Sequence, residues 1–231
     1  MSLNGLLAPR FNMYGPIHKA LRLFMGDTLA RCGRLDWEDP AELAEVSGQV
    51  EALVGLLGQH LAHEDRFIHP FMQARQAGSA AQAGAEHHDH QEALAALALE
   101  ARLLREQPGE AQAARVYQDL ALLVADNLQH MQMEETAHHQ CLWQHASDAE
   151  LRGLHERLVS SIPPEEMMLT LSWMLPALAP RERAGLLLGM REGAPAPVFA
   201  AVLELAERRL DPQGWAKLKA ALERPAEPLA A

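Results

Sequence analysis

His60-x-x-x-Glu64 and His130-x-x-x-Glu134 each place an imidazole and a carboxylate four residues apart, and the two pairs lie about seventy residues from each other in the chain. On a helix, residues four apart share one face, one turn above the other. Each pair therefore presents a nitrogen and an oxygen donor in the same direction. In both segments that direction coincides with the apolar stripe. Burying such groups in a helical interior is unfavourable unless something pairs with them. A metal cluster meets that demand with the residue types present.

The elements that must position these donors are legible from helix punctuation. A first helix is predicted from about Met13 to Cys32, with Gly33 as its stop. Asp39 is a suitable N-cap and Pro40 a suitable first-turn residue for a second helix running to about Arg75 and ended by Gly78. Ser79 is expected to cap a third helix running to Gln107. Pro108-Gly109 is the next break, and a fourth helix is predicted to about His145. Four long helices with short connections read as an all-α, up-down-up-down four-helix bundle over residues 1–146. Residues 147–231 read as a C-terminal helical extension packed on itself or on the bundle. There Asp148 opens a shorter helix, and Pro163-Pro164, Pro180, Pro195-Pro197 and Pro212 punctuate further short ones. Arg224 to Ala231 read as a frayed end.

Composition agrees. The 231 residues are 48% hydrophobic but only 5% aromatic, and helix formers dominate over strand formers. A formal net charge of −11 argues against nucleic acid and against anionic membrane surfaces as partners. Every apolar run is interrupted by a charged residue or a histidine, so no membrane span is expected, and no secretory leader is recognisable. Cys32 and Cys141 lack metal-binding spacing and read as reduced core thiols, which suits a cytoplasmic protein.

Tracing the inward stripe of each predicted helix brings out a shared pattern. The first stripe holds Tyr14, His18, Leu21, Met25, Thr28 and Cys32. The second holds His60 and Glu64 followed by Phe67, Ile68 and Phe71. The third holds His87 and His90 above Leu94 and Leu97, and the fourth holds Asn127, His130, Glu134, Ala137 and Cys141. If the helices alternate in direction, His18, His60, Glu64, His87, His90, His130 and Glu134 all fall at one end of the bundle. Imidazole and carboxylate suit iron, manganese and zinc. Seven donors exceed what one tetrahedral zinc takes. They suit two octahedral ions that share Glu64 and Glu134 as bridges and keep a position open.

With those residues in view, the chain resembles the hemerythrin-like, HHE cation-binding family over about residues 13–145. The resemblance rests on Ile17-His18-Lys19, His60-Leu61-Ala62-His63-Glu64, Glu86-His87-His88-Asp89-His90 and His130-Met131-Gln132-Met133-Glu134. It implies a four-helix bundle with two non-haem iron ions, other divalent metals being alternatives. It implies binding or sensing of dioxygen, nitric oxide or peroxide. Carried over residue by residue, His18, His60, Glu64, His130 and Glu134 are ligands, completed by His87, His90 or both. The carboxylate four residues after His130 is closer to the iron-sensing and iron-repair branches than to the oxygen carriers. Tyr14, one turn before His18, is placed to line the open position.

Each reading has a plainer counterpart. A lone His-x-x-x-Glu is usually a solvated pair, and only the coincidence of two pairs with histidines on the other two helices favours metal. His63, His88, His139, His145 and Glu135 fall off the stripes and are expected in solvent. His69 and His138 lie at the stripe edge, as candidates to orient the ligands. Tyr14 also fits an ordinary core edge. In the C-terminal part Trp173 and Trp215 read as packing anchors, and its apolar helical faces suit a protein partner or a homodimer. A sensor of a small ligand, an iron store or donor, and a bundle with a stabilising metal all fit this pattern. An oxidase or peroxidase fits it least, since no substrate pocket is evident.

Overall fold

Helix-initiating chemistry falls where the chain breaks. The computed structural model describes residues 10–223, so the expected fraying from Arg224 onward lies outside the described residues. All regular elements among them are helical. Helix α1 spans Gly15–Cys32, α2 Pro40–His63, α3 His69–Gln73, α4 Ala81–Glu106, α5 Glu110–Met133 and α6 His139–His145. The Asp39 carboxylate accepts from the backbone N–H groups of Ala41 and Glu42, and Pro40 fills the first helical position. The Ser79 cap does not form. Ala80 precedes α4 with no side-chain cap, and the turn before it uses Gly78 at φ 82°, a left-handed conformation that favours glycine.

Two departures from regular α-helix matter most. Between α2 and α3, Glu64–Ile68 is a π-helical turn, and between α5 and α6, Glu134–His138 is another. The backbone N–H of His69 donates to the Glu64 carbonyl, and that of His139 donates to the Glu134 carbonyl, each spanning five residues. Each wide turn starts at the glutamate of a His-x-x-x-Glu pair. It inserts one residue into the helical count, so residues both four and five after the glutamate stay near the interior. The stripe drawn at a constant period therefore errs beyond Glu134. Ala137 is exposed, while His138 and His139 are buried.

The chain divides into two compact units. One holds the residues up to His18 together with Phe24–Ile162, and the other holds Lys19–Leu23 with the residues from Pro163 onward. Helix α7 (Asp148–Ser160) lies in the first unit, whereas the sequence boundary was drawn before it, after residue 146. Ser147 and Glu150 close a reciprocal capping box at its start. Leu151 and Leu154 are buried with Met13, Tyr14, Ile68, Met72, Cys141 and Leu142. At about 1.5–3 kcal/mol for each fully buried leucine, this contact holds α7 against the segments that follow the two π turns.

The second unit contains α8 (Pro164–Ala177), α9 (Pro180–Gly193), α10 (Ala196–Arg209) and α11 (Pro212–Glu223). Prolines open these helices, as the punctuation predicted. A hydrocarbon core of Leu171, Leu175, Leu187, Val202, Ala206 and Leu218 joins them, with Trp215 packed at its edge. Among the described residues, no helix is long and apolar enough to cross a membrane. Cys32 and Cys141 are free, buried thiols.

Candidate metal centre

Six polar side chains from four helices meet inside the first unit. His18 comes from α1, His60 from the last turn of α2, His87 from the start of α4 and His130 from the last turn of α5, while Glu64 and Glu134 open the two π turns. All are buried or nearly so: Glu134 and His18 are 0% exposed and Glu64 is 1% exposed. Their donor atoms form two groups, His18–His60–Glu64–Glu134 and Glu64–His87–His130–Glu134, within each of which all atoms lie within 4.8 Å.

The distances show how the carboxylates are shared. Glu64 Oε1 is 3.2 Å from His60 Nε2, and Glu64 Oε2 is 3.4 Å from His87 Nε2. Glu134 Oε2 is 3.3 Å from His18 Nε2, and Glu134 Oε1 is 3.5 Å from His130 Nε2. Each carboxylate therefore turns one oxygen to each group. His87 Nε2 and His130 Nε2 are 3.0 Å apart. Ligands at right angles on an ion with bonds of about 2.1 Å sit about 3.0 Å from each other, so the spacings match neighbouring positions around a metal. Among the described residues, both oxygens of Glu64, both of Glu134, and Nε2 of His18 and His60 are buried without a hydrogen-bond partner. Two carboxylates desolvated in this way are strongly unfavourable unless a cation joins them.

The other ring nitrogens are held from outside. His18 Nδ1 lies 3.0 Å from Glu135 Oε1, His87 Nδ1 2.8 Å from Asp65 Oδ1, and His130 Nδ1 2.6 Å from Glu86 Oε2. A carboxylate on Nδ1 fixes the ring and leaves the Nε2 lone pair aimed inward, the arrangement ligating histidines generally have. Two of these three acids directly follow a central glutamate, Asp65 after Glu64 and Glu135 after Glu134. That repetition is readable in the sequence, but the stripe sends Glu135 to solvent, and helical period alone gives Asp65 and Glu86 no role.

Electrostatics point the same way. Burial, then the charge of the neighbouring Glu134, pushes the Glu64 carboxyl well above the usual range. Burial opposes ionisation of Glu134 too, but the facing His130 and His18 rings outweigh it and hold that carboxyl low. The two carboxyls are pushed in opposite directions, as adjacent carboxylates in one site are. Burial, followed by the neighbouring His18, lowers His60 well below its ordinary value, keeping it a neutral donor.

The remaining residues that the sequence singled out lie around these two groups. His90 is buried with its ring edge-on to His130, centroids 5.0 Å apart, but it joins neither group. Three residues along a helix carry it about 4.5 Å further along the axis than His87. Tyr14 is buried beneath the site, stacked on His18 at 5.2 Å, with its hydroxyl 3.1 Å from His138 Nδ1. Burial, then the Glu134 and Glu64 charges, raises the Tyr14 phenol well above its ordinary value, so it stays protonated. His139, expected in solvent, is 3% exposed and stacks on Trp143 at 4.7 Å. His63 is half-buried, while His88 and His145 are exposed as expected. His69 and His138, expected only to orient ligands, themselves group with Glu134 within donor distance.

A family model described as the hemerythrin HHE cation binding domain matches residues 16–141, more than half of the chain. That span holds all six side chains of the two groups. Comparison with curated proteins and with solved structures found no match.

Proposed function

Because the chain belongs to the hemerythrin HHE cation-binding family, we propose that it is a non-haem two-iron protein that binds or senses dioxygen, nitric oxide or peroxide. In this reading α1, α2, α4 and α5 form an up-down-up-down bundle around the site. His18 and His60 would hold one ion and His87 and His130 the other, with Glu64 and Glu134 available to both. Iron supplies a reversible redox couple and an open position for a small ligand. The protein's own residues do the rest. Glu64 and Glu134 neutralise the cations, and Glu135, Asp65 and Glu86 hold the rings in the ligating tautomer. Met25, Leu57 and Leu61, buried on the helices that carry His18 and His60, add hydrocarbon rather than further polar groups to that interior. Tyr14 keeps a protonated hydroxyl beside the centre.

The observation that carries this reading is the set of four buried carboxylate oxygens, unpartnered among the described residues and divided evenly between two histidine pairs. Anaerobic reconstitution with ferrous iron, followed by metal analysis and optical spectroscopy, tests it. Two ions per chain, and a spectrum that changes on exposure to dioxygen or nitric oxide, are the expected results. A chain that saturates at one ion overturns the two-iron centre. Two ions whose spectrum ignores both gases and peroxide would leave an iron-holding role in place of sensing.

A further inference from the structure

His69 and His138 stand outside both histidine pairs, yet His69 has the same outfitting as the rings within them. Its Nδ1 lies 3.0 Å from Asp65 Oδ1, the oxygen that also holds His87 Nδ1 at 2.8 Å. The His69 and His87 rings stack with centroids 4.8 Å apart and planes inclined by 29°. An Nδ1–H that donates to a carboxylate leaves the lone pair on Nε2. His69 Nε2 is buried and, among the described residues, has no hydrogen-bond partner, on a side chain only 9% exposed. His138 is 2% exposed; its Nδ1 lies 3.8 Å from Glu134 Oε1 and 3.1 Å from the Tyr14 hydroxyl, so a cation held on that nitrogen would displace the Tyr14 hydrogen bond. Donor atoms of His69, His138 and Glu134 lie within 4.8 Å of one another.

We propose that His69, His138 and Glu134 form a third cation site beside the two-iron centre, taking a divalent first-row transition metal. The proposal rests on the two-iron reading, since Glu134 is shared. Two neutral imidazoles and a carboxylate oxygen suit iron, cobalt or zinc rather than magnesium or calcium. Carrying less negative charge than the central pair, the third site binds more weakly. A carboxylate has lone pairs enough for more than two partners, so sharing Glu134 is chemically admissible. Asp65, whose side chain is 40% exposed, links His69 to solvent.

The test is a metal titration of the full-length protein under anaerobic conditions with cobalt(II), paired with anomalous X-ray diffraction at the cobalt edge. Two tight equivalents, a weaker third, and an anomalous peak between His69 and His138 are expected. His69→Gln and His138→Gln should each lose the third equivalent and keep the first two. Saturation at two, with no third peak in the wild-type crystal, overturns this site and leaves the two-iron centre standing. A third equivalent that survives both substitutions also overturns it. Saturation below two overturns both readings. The wild-type diffraction result stands even if a variant fails to fold.

Discussion

Both units of this protein bury charge, and they resolve it in opposite ways. In the second unit Arg183 is 6% exposed, but its Nε donates to the Leu175 carbonyl at 2.6 Å and its Nη2 to the Leu178 carbonyl at 2.9 Å. Those carbonyls lie at the C-terminal end of α8, where the helix dipole is negative and the last acceptors lack helical partners. The charge is answered from within the chain, beside a core cluster of leucine, valine and alanine side chains. In the first unit Glu64 and Glu134 are buried more deeply, and among the described residues their oxygens accept no hydrogen bond. A buried charge met by the chain's own donors is architecture. One whose oxygens find no hydrogen-bond donor, with histidine rings turned toward them, is a binding site.

The strongest way to break this contrast is Glu64→Ala. It should abolish two-ion binding and, with it, the stabilisation of the first unit by metal. A ligand at a thousand times its dissociation constant stabilises by about 4 kcal/mol per site, so calorimetry with and without iron should show a large shift in the wild type and none in the variant. The transition of the second unit should ignore the metal. If both transitions rise together, the distinction between the units fails.

Arg183→Ala is the reciprocal change. It strips donors from two buried carbonyls, and a destabilisation of about 2–4 kcal/mol is expected by denaturant unfolding, confined to the second unit, with iron content unchanged. Asp65→Ala sharpens the picture within the first unit. Losing the carboxylate behind His87 should weaken metal binding roughly 10–100-fold, measured by competition with a chelator, while leaving the apo fold in place. The smallest effect concerns the cap of α7. Backbone and hydroxyl hydrogen bonds from Ser147, then Arg75, depress the Glu150 carboxyl to about 2. Its stabilisation is full above its ordinary value of 4.5 and is lost as pH falls toward 2. Glu150→Gln should flatten the acid limb of the stability–pH curve in that window and nowhere else.

Much of the site was legible before any coordinates. The two His-x-x-x-Glu pairs, with His18 and His87 on separate predicted helices, contain all six side chains that meet. Their period shows which way each points, because a helix repeats its faces whatever surrounds it. The breaks at Asp39-Pro40 and Pro108-Gly109 were readable for the same local reason. His90 was not separable from His87, because two residues of one stripe differ only in height along the axis. The burial of His139 was not legible because the π turn at Glu134 adds a residue to the helical count, and no local propensity announces a π turn.

What the sequence by itself determined, then, is the helical class and the six donors, since both follow from periodicity and residue chemistry within single helices. Only the tertiary structure decided which oxygen faces which histidine, which acid steadies which ring, and that α7 closes over the π turns. Those outcomes depend on distances between segments far apart in the chain, set by packing that no single segment encodes.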